Sequence, residues 1–292
     1  MFANGINFAI VFIYTYHCKI KMTLPDSMGY TPRYKALWTQ ATPGLVIFLI
    51  DQSASMSQHG AYWIPIAERV AHLVNSAIWE LCNMSTFVNW DDEEYVANTM
   101  FVKCIGYGFD YDESSYDIVD GWISDYKEKK YIIQPRAYGL PNMTEAFAKV
   151  ADIIQAWKQR CLELDNRNHD PVPLIFHLTK GTNIGNDEEL VKNAQLIKSI
   201  EMRDGHPLLF NLLFPTHGFY GIWEFPSEEL FASYKLAEEY EMIIKTASAF
   251  PQEMIEEYQQ YGYKYIPKDS LCIMLNPTRI PIEHIRENFL IW

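Results

Sequence analysis

The stretch Leu45-Val46-Ile47-Phe48-Leu49-Ile50-Asp51-Gln52-Ser53-Ala54-Ser55-Met56 decides the fold. Its six leading apolar residues follow Pro43-Gly44 and predict a short strand that is buried on both faces. The chain then leaves the sheet on an acid and two hydroxyls at alternate positions. This spacing places Asp51, Ser53 and Ser55 around one small volume at the carboxyl end of a central strand, where open α/β sheets bind their ligands.

Three oxygen-bearing side chains that converge in this way suit a hard cation such as Mg²⁺. The alternative interpretation is a polar loop without a ligand, in which Ser53 or Ser55 caps the next helix. The spacing alone leaves both interpretations open, and the buried strand before it favours the metal site.

The apolar strand followed by Asp-x-Ser-x-Ser-Met resembles the first metal-site segment of a von Willebrand factor type A (VWA) domain. In that family the site is called the metal-ion-dependent adhesion site, or MIDAS. The resemblance implies an α/β fold with a doubly wound, mostly parallel six-stranded sheet, helices on both faces and strand order 3-2-1-4-5-6. It also implies a magnesium or manganese ion that takes its last ligand from a partner's carboxylate. It covers roughly Pro43 to Pro277.

The segment from Gly139 to Phe147 resembles the second part of the family's site, Gly-x-Thr-x-Met/Leu-x-x-Ala-Leu. The alignment places Pro141 where the metal-binding threonine should be. Thr144 lies three residues further on, in the first turn of a predicted helix, and we expect it to help cap that helix. A shifted register that brings Thr144 to the metal is the alternative.

The third part of the site departs most from the family. The predicted fourth strand, Pro173 to Leu178, ends in Thr179-Lys180-Gly181, where the family has Thr-Asp-Gly. A lysine ammonium in the site would repel a divalent cation by several kcal/mol. We hypothesise that Lys180 takes the place of the metal and pairs with Asp51. Alternatively, Lys180 turns outward and a weakly bound ion persists on Asp51, Ser53 and Ser55, helped by Asp187.

Aromatic residues follow several of the predicted strands at this edge of the sheet. Aromatic side chains at a surface favour protein recognition, and their alternative role is core packing. With His217, which could be a ligand or an ordinary loop histidine, they form a predicted partner-binding rim consisting of Tyr62, Trp63, His217, Tyr220 and Trp223.

Length and composition restrict the classes of partner. The 292 residues carry a formal net charge of −13, and about half of them (49%) are hydrophobic. An acidic protein is not expected to bind nucleic acid or an anionic membrane. The five cysteines have no paired spacing, which indicates buried free thiols in a reducing compartment. We therefore expect a cytoplasmic protein.

The chain is divided by prediction into an N-terminal extension, 1–42, and a single VWA-type domain, 43–292. Residues 6–16 are apolar but too short to span a bilayer and lack the features of a signal peptide. They could form a weak anchor or an added strand, but we favour Met22 as the natural start, with 1–21 an upstream extension.

Other elements complete the predicted fold. Met100 to Tyr107 and Tyr131 to Gln134 are predicted strands, the acidic run 91–94 a solvated loop, and Ile282 to Leu290 a closing helix.

These features predict a protein–protein interaction module that is not an enzyme. No Gly-x-Ser-x-Gly, P-loop or His-Glu-x-x-His motif is present, and a hydrolase site on Asp51 and His217 is the lesser alternative. The module loosely resembles bacterial cytosolic VWA proteins, including those associated with tellurite resistance, which suggests signalling or stress responses. No cofactor is expected, although magnesium or manganese could bind. The runner-up function is a metal-dependent adhesion or ligand-binding domain at the cell surface.

Overall fold

The structure is a computed structural model that describes residues 34–59, 63–108, 115–163, 170–216, 221–233, 240–260 and 266–281, without the side chains of 257–260. The described residues belong to one compact unit. The predicted closing helix and residues 1–33, which include the proposed start at Met22, lie outside the described residues.

A seven-stranded sheet forms the centre of the unit. Its strands are β1 (Gly44–Asp51), β4 (Met100–Tyr107), β5 (Ser115–Trp122), β6 (Leu174–Thr179), β7 (Leu208–Leu213), β8 (Trp223–Glu224) and β9 (Ile273–Leu275), in the order β5-β4-β1-β6-β7-β9-β8. Only β5 and β8, the two edge strands, are antiparallel to their neighbours. The predicted doubly wound, mostly parallel α/β sheet is confirmed, with one strand more than expected.

Helices connect the parallel strands. The helices are α1 (Ile66–Met84), α2 (Met143–Glu163), α3 (Asp187–Ser199), α4 (Glu228–Ser233), α5 (Glu241–Thr246) and α6 (Gln252–Gln260). Helix α1 leads from β1 to β4 on one side of it, and α2 leads to β6 on the other side. Because such crossovers are right-handed, the two helices lie on opposite faces of the sheet. All eight residues of β1 are consequently buried, which explains its continuous apolar run.

One predicted strand is wrong. Residues 131–134 contain no strand, and the edge of the sheet is instead formed by β5, Ser115–Trp122. The amide of Asn75 on α1 fixes the 132–133 backbone: Asn75 Oδ1 accepts from the N–H groups of Ile132 and Ile133 at 2.8 and 2.9 Å. These backbone groups are satisfied by a helix side chain, so the apolar segment has no need of a neighbouring strand.

The described part of the predicted N-terminal extension, residues 34–42, packs against the domain. The indole of Trp38 is almost fully buried in the core. The carboxylate of Asp204 accepts hydrogen bonds from the backbone N–H groups of Lys35 and Ala36, at 2.7 and 3.0 Å. This segment is therefore part of the folded unit.

A separate two-stranded hairpin lies between α1 and β4. Its strands are β2 (Thr86–Val88) and β3 (Glu94–Val96), which pair antiparallel. The acidic run 91–94, predicted to be a solvated loop, lies at the tip of this hairpin and in the first residue of β3.

The hydropathy of the helices and the state of the cysteines complete the description. Within the described residues, no helix combines the length and hydropathy that crossing a membrane requires. Cys82, Cys104, Cys161 and Cys272 are buried and form no disulfide bond among the described residues, and Cys18 lies outside the described residues.

Candidate functional site

Asp51 lies at the carboxyl end of the central strand, where the sequence predicts it. It is the last residue of β1, in register with Tyr107, the last residue of β4. The neighbouring strand β6 ends one residue past its last pair with β1, at Thr179. Asp51 is only 1% exposed, so its carboxylate must be satisfied by groups of the protein.

Hydrogen bonds from neighbouring residues hold the Asp51 carboxylate. Its Oδ1 accepts from the backbone N–H of Ser53 at 2.9 Å, and its Oδ2 accepts from the hydroxyl of Thr179 at 2.8 Å. Burial raises the pKa of Asp51, while the hydrogen bonds from Ser53 and Thr179 and the backbone N–H of Lys180 oppose this rise. The carboxylate is therefore a polar anchor inside the fold.

The two serines lie side by side. Ser53 Oγ and Ser55 Oγ are 2.9 Å apart, at the start of a short 3-10 turn, Ala54–Ser57. Ser53 precedes this turn without a side-chain capping bond, and α1 begins only at Ile66. The alternative role as helix caps is thus not observed, and the serine hydroxyls face each other beside Asp51.

The residue that follows β4, Gly108, lies very close to the backbone of the Asp51 loop. Gly108 follows β4 with a φ of 108°, and a Cβ placed on it would lie 2.6 Å from the backbone nitrogen of Ser53. Because only glycine accepts both the positive φ and this close approach, Gly108 holds the Ser53 backbone against the end of the sheet.

The second predicted segment packs on the Asp51 loop through its backbone. The N–H of Tyr138 donates to the carbonyl of Gln52 at 2.7 Å, and the N–H of Ala54 donates to the carbonyl of Gly139 at 3.0 Å. The structure thus brings the first and second segments together as the sequence indicates.

Neither candidate for the missing threonine has a hydrogen bond to Asp51 or the serines in the described part of the chain. Pro141 is buried, and its carbonyl accepts from the N–H of Ile184 at 2.9 Å. The hydroxyl of Thr144 donates to the carbonyl of Asn186 at 3.1 Å. Thr144 therefore ties α2 to the loop before α3, and the expectation that it caps α2 is wrong.

Lys180 does not pair with Asp51 in the described structure. Its ammonium donates to Gln58 Oε1 at 2.9 Å, in the loop that follows the 3-10 turn. Thr179, the residue before it, supplies the donor to Asp51, so no cation is needed there. Asp187 is also elsewhere: it is exposed on α3, where its Oδ1 accepts from Asn183 Nδ2 at 3.0 Å.

The residues present do not fit a divalent cation in this arrangement. The site offers one carboxylate, and both of its oxygens are occupied by donors of the protein. The two positions where the family has further oxygen ligands carry Pro141 and Lys180. No group of three or more His, Cys, Asp or Glu side chains that could hold a metal ion occurs in the described ranges. Mg²⁺ takes oxygen ligands in octahedral geometry, whereas here the two serine hydroxyls bond each other and both carboxylate oxygens accept from donors of the protein.

Comparisons with known proteins find structural likeness only. No protein-family model and no curated protein matches the sequence. Among solved structures, the pilus adhesin SpaC of Lactobacillus rhamnosus GG is 12% identical with a TM-score of 0.43, over 61% of this chain and 25% of the adhesin. Manganese-loaded TRAP of Plasmodium vivax is 15% identical with a TM-score of 0.36, over 61% and 60% of the two chains. The SpRpn10 VWA domain is 15% identical with a TM-score of 0.34, over 59% and 76%. The chain thus spans a quarter of the adhesin and about 60% of TRAP.

The order of the strands decides the fold. Without the additional edge strand β8, the observed order corresponds to 3-2-1-4-5-6, and the Asp-x-Ser-x-Ser loop follows the central strand. The chain has a VWA-like fold. The Asp51 loop, the 138–142 loop and the end of β6 converge at the carboxyl edge of this VWA-like sheet.

Of the predicted aromatic rim, only Trp63 and Trp223 lie among the described residues. Trp63 is 87% exposed beside the Asp51 loop. Trp223 is half-buried against Phe231, on edge strand β8. Three strands separate β8 from β1, so Trp223 lies roughly 19 Å from the strand that carries Asp51 and is not part of a rim around it. Tyr62, His217 and Tyr220 lie outside the described residues.

A different set of exposed apolar side chains lies on the segments that pack on the Asp51 loop or on one another at this edge. The segments that carry them are joined by backbone contacts: 138–139 bonds to Gln52 and Ala54, Ile184 bonds to Pro141, and Pro65 forms a bridge with His59. We call this set the apolar collar, and it consists of Trp63, Ile64, Tyr138, Leu140 and Ile184, which are all exposed. Lys180, with its ammonium on Gln58, lies at the same edge.

A chain of hydrogen-bonded, buried polar side chains runs from strand to strand across the sheet near the site. The amide nitrogen of Asn211 donates to the carbonyl of Ile243 and to Thr246 Oγ1, at 2.9 and 3.0 Å. Asn211 Oδ1 is therefore the acceptor for His177 Nδ1, at 2.8 Å.

This arrangement fixes the tautomer of His177. With its proton on Nδ1, the ring has a bare Nε2, which accepts from the Tyr107 hydroxyl at 2.8 Å. Burial lowers the pKa of His177 to about 4, so the ring is neutral at pH 7. Tyr107, in register with Asp51, thus links the site to helix α5 through the sheet.

Several residues of the site were missed by sequence reasoning. Thr179, Tyr107 and His177 all lie in or at the end of predicted strands. They could have been found because each is a polar residue in or at the end of a strand that is buried on both faces, and a buried polar side chain needs a hydrogen-bond partner. Gln52 and Gln58 carried no comparable signal: Gln52 is buried and accepts from the Tyr116 hydroxyl.

Proposed function

We propose that this protein is an interaction module with a VWA-like fold, and that its partner is a protein that binds at the carboxyl edge of the sheet. The observation that carries the proposal is the apolar collar around the Asp51 loop. Exposed large apolar side chains that cluster at one place on a surface favour protein recognition. The collar encloses an edge where open α/β sheets place their ligands.

The site acts without a bound metal in this proposal. The Asp-x-Ser-x-Ser loop serves as a rigid base, because Asp51, Ser53 and Thr179 satisfy one another within the protein. The ammonium of Lys180 provides a positive charge at this edge and, in the described part of the chain, donates to the neutral amide oxygen of Gln58. Collar and lysine together would favour a partner surface that is apolar with a negatively charged group.

The alternative is a metal-dependent adhesion or ligand-binding domain that retains magnesium or manganese. It is favoured by the adjacency of Asp51, Ser53 and Ser55, whose oxygens occupy one small volume. In that case the side chains of the loop would have to exchange hydrogen bonds within the protein for bonds to the ion.

The cellular role in this proposal is cytoplasmic signalling or a stress response, without enzymatic activity. The four described cysteines support it, because free buried thiols are compatible with a reducing compartment. The loose resemblance to bacterial tellurite-resistance-associated VWA proteins motivates the choice of process. Cell fractionation of the native protein tests the location, and recovery in an exported fraction would contradict it.

The collar is tested with the double variant Leu140→Ser/Ile184→Ser. The two side chains are 53% and 56% exposed, so the fold should tolerate the change. Burial of their exposed halves in an interface contributes about 1 kcal/mol each, so a partner purified with the wild type should bind the variant at least tenfold more weakly.

The matched control is Leu196→Ser, which changes a side chain on α3 that is 47% exposed. It should bind the partner as the wild type does. Equal affinities of the double variant and the wild type, measured by calorimetry with the purified partner, would contradict the proposed face.

The metal-free mode is tested by thermal melts with chelator, magnesium or manganese. Ligands that bind the native state raise the melting temperature. We expect no response from the wild type and a response from Lys180→Asp, which restores the acid of the family at that position. A metal-dependent rise in the wild type would favour the alternative.

A further inference from the structure

The β2–β3 hairpin presents side chains to solvent and is held together by contacts between its strands. The rings of Phe87 and Tyr95 pack against each other across its strands, with centroids 6.1 Å apart. Its base is fixed to the domain, because the N–H of Ala97 donates to the carbonyl of Ser85 at 2.8 Å, and the hydroxyls of Ser85 and Thr99 are 2.7 Å apart.

The tip of the hairpin is also ordered. Asn89 Oδ1 accepts from the backbone N–H groups of Asp91 and Glu93, at 2.9 and 2.8 Å. The N–H of Asn89 donates to the carbonyl of Glu93 at 3.0 Å. One asparagine side chain thus organises the turn, and a group presented there loses little conformational freedom on binding.

That turn presents a tryptophan to solvent. The Trp90 side chain is fully exposed, the most exposed large hydrophobic among the described residues. Val88, two residues before it, is exposed as well. Tyr95 is also exposed, but it pairs with Phe87 and lies on the opposite face of the hairpin from Val88. A tryptophan offers a large contact area at low entropic cost and is the residue type most enriched in binding hot spots.

The surroundings of Trp90 define the charge of what could cover it. The four residues after it are Asp91, Asp92, Glu93 and Glu94, and all are exposed. None of the four carboxylates forms an ion pair with another described residue. The four acids disfavour an anionic surface as a partner, whereas lysine and arginine side chains can pair with the acids and stack on the indole face.

We propose that Trp90 and the apolar stem residue Val88 form a second docking surface, and that its occupant is a basic protein segment with Lys or Arg beside apolar side chains. This surface is independent of the proposed carboxyl-edge function, because the hairpin joins the amino end of β4. Trp90 provides the contact area, and the four carboxylates select the charge.

The proposal is tested by calorimetry on the full chain with a synthetic peptide that carries four arginines and two leucines. We expect binding that weakens as salt increases, and a dissociation constant at least tenfold higher for Trp90→Ala. Since Trp90 is fully exposed, this variant should melt as the wild type does. The matched control, Trp79→Ala, removes a tryptophan that is 61% exposed on α1 and should bind as the wild type does.

Two further arms separate specific docking from simple charge attraction. A peptide with glutamates in place of the arginines should not bind, and the variant D91N/D92N/E93Q/E94Q should lose affinity for the arginine peptide. Failure of the arginine peptide to bind, or equal affinities of Trp90→Ala and the wild type, would overturn the proposal. The collar variant Leu140→Ser/Ile184→Ser should leave this binding unchanged, so the two proposals fail separately.

Discussion

Replacing Thr179 with valine tests whether this residue anchors the site. Valine keeps the shape of threonine but removes the hydroxyl that donates to Asp51 Oδ2 at 2.8 Å and accepts from the N–H of Gly181 at 2.9 Å. A hydrogen bond to a charged group contributes about 1.5–3 kcal/mol, and a backbone bond about 1 kcal/mol. We expect Thr179→Val to lower the free energy of unfolding by about 3 kcal/mol at pH 8.

The penalty should depend on pH in a defined direction. Burial places the pKa of folded Asp51 above its unfolded value of 3.8. The native state therefore binds more protons than the unfolded state between these two values, and stability falls as pH rises through them. Removal of the Thr179 donor raises the folded pKa further. The difference in stability between the variant and the wild type should therefore be largest at high pH.

Urea denaturation at pH 8 and at the lowest pH where the wild type stays folded measures this difference. Near the low-pH limit, where Asp51 is increasingly protonated, the penalty should approach about 1–2 kcal/mol, the value for neutral hydrogen bonds. Thr179→Ser, which keeps the hydroxyl, is the matched control and should show no added pH dependence. A valine penalty that stays constant or shrinks as pH rises would refute the proposed anchor.

Two buried groups elsewhere give opposite pH effects. The pKa of His177 is about 4 in the folded state and 6.5 in the unfolded state, so the free energy of unfolding should fall by about 3 kcal/mol as pH drops through this interval. Urea denaturation of His177→Gln at several pH values should lack this loss. The same dependence of stability on pH in the variant as in the wild type would contradict the neutral tautomer. Asp204 has a folded pKa of about 6 against 3.8, so stability should fall by about 3 kcal/mol as pH rises from 3.8 to 6. Asp204→Asn keeps an acceptor for Lys35 and Ala36 and should remove that loss, whereas a wild-type pH profile in the variant would contradict it.

The sheet was predictable because its central strands are buried on both faces. Largely apolar runs identify β1, β4 and β6 within one or two residues. The edge strand β5 was missed because one of its faces carries Asp117 and Asp120, which bind Lys103 at 3.1 and 3.0 Å. An edge strand with charged side chains lacks the apolar run, and the apolar segment 131–134 resembled a strand more closely.

The position of the site was predictable, but the partners of its side chains were not. Asp51, Ser53 and Ser55 follow a strand, and topology alone brings them to one edge. The direction of Lys180 depends on the chain around it. Thr179, one residue earlier, alternates to the opposite side of the strand end and reaches Asp51, so its neighbour points away towards Gln58. The charge of Lys180 could be read from the sequence, but which of Thr179 and Lys180 points towards Asp51 could not.

The two proposed surfaces lie at opposite ends of the same strands. β1 and β4 pair in register from Gly44 and Met100 to Asp51 and Tyr107. Seven steps of about 3.3 Å separate the two ends by roughly 23 Å. A peptide of a few residues bound at Trp90 therefore cannot touch the collar, and the variants of the two surfaces should act independently. If Trp90→Ala and the collar variant both weaken one partner, with additive free energies, that partner must be a folded protein large enough to span the sheet.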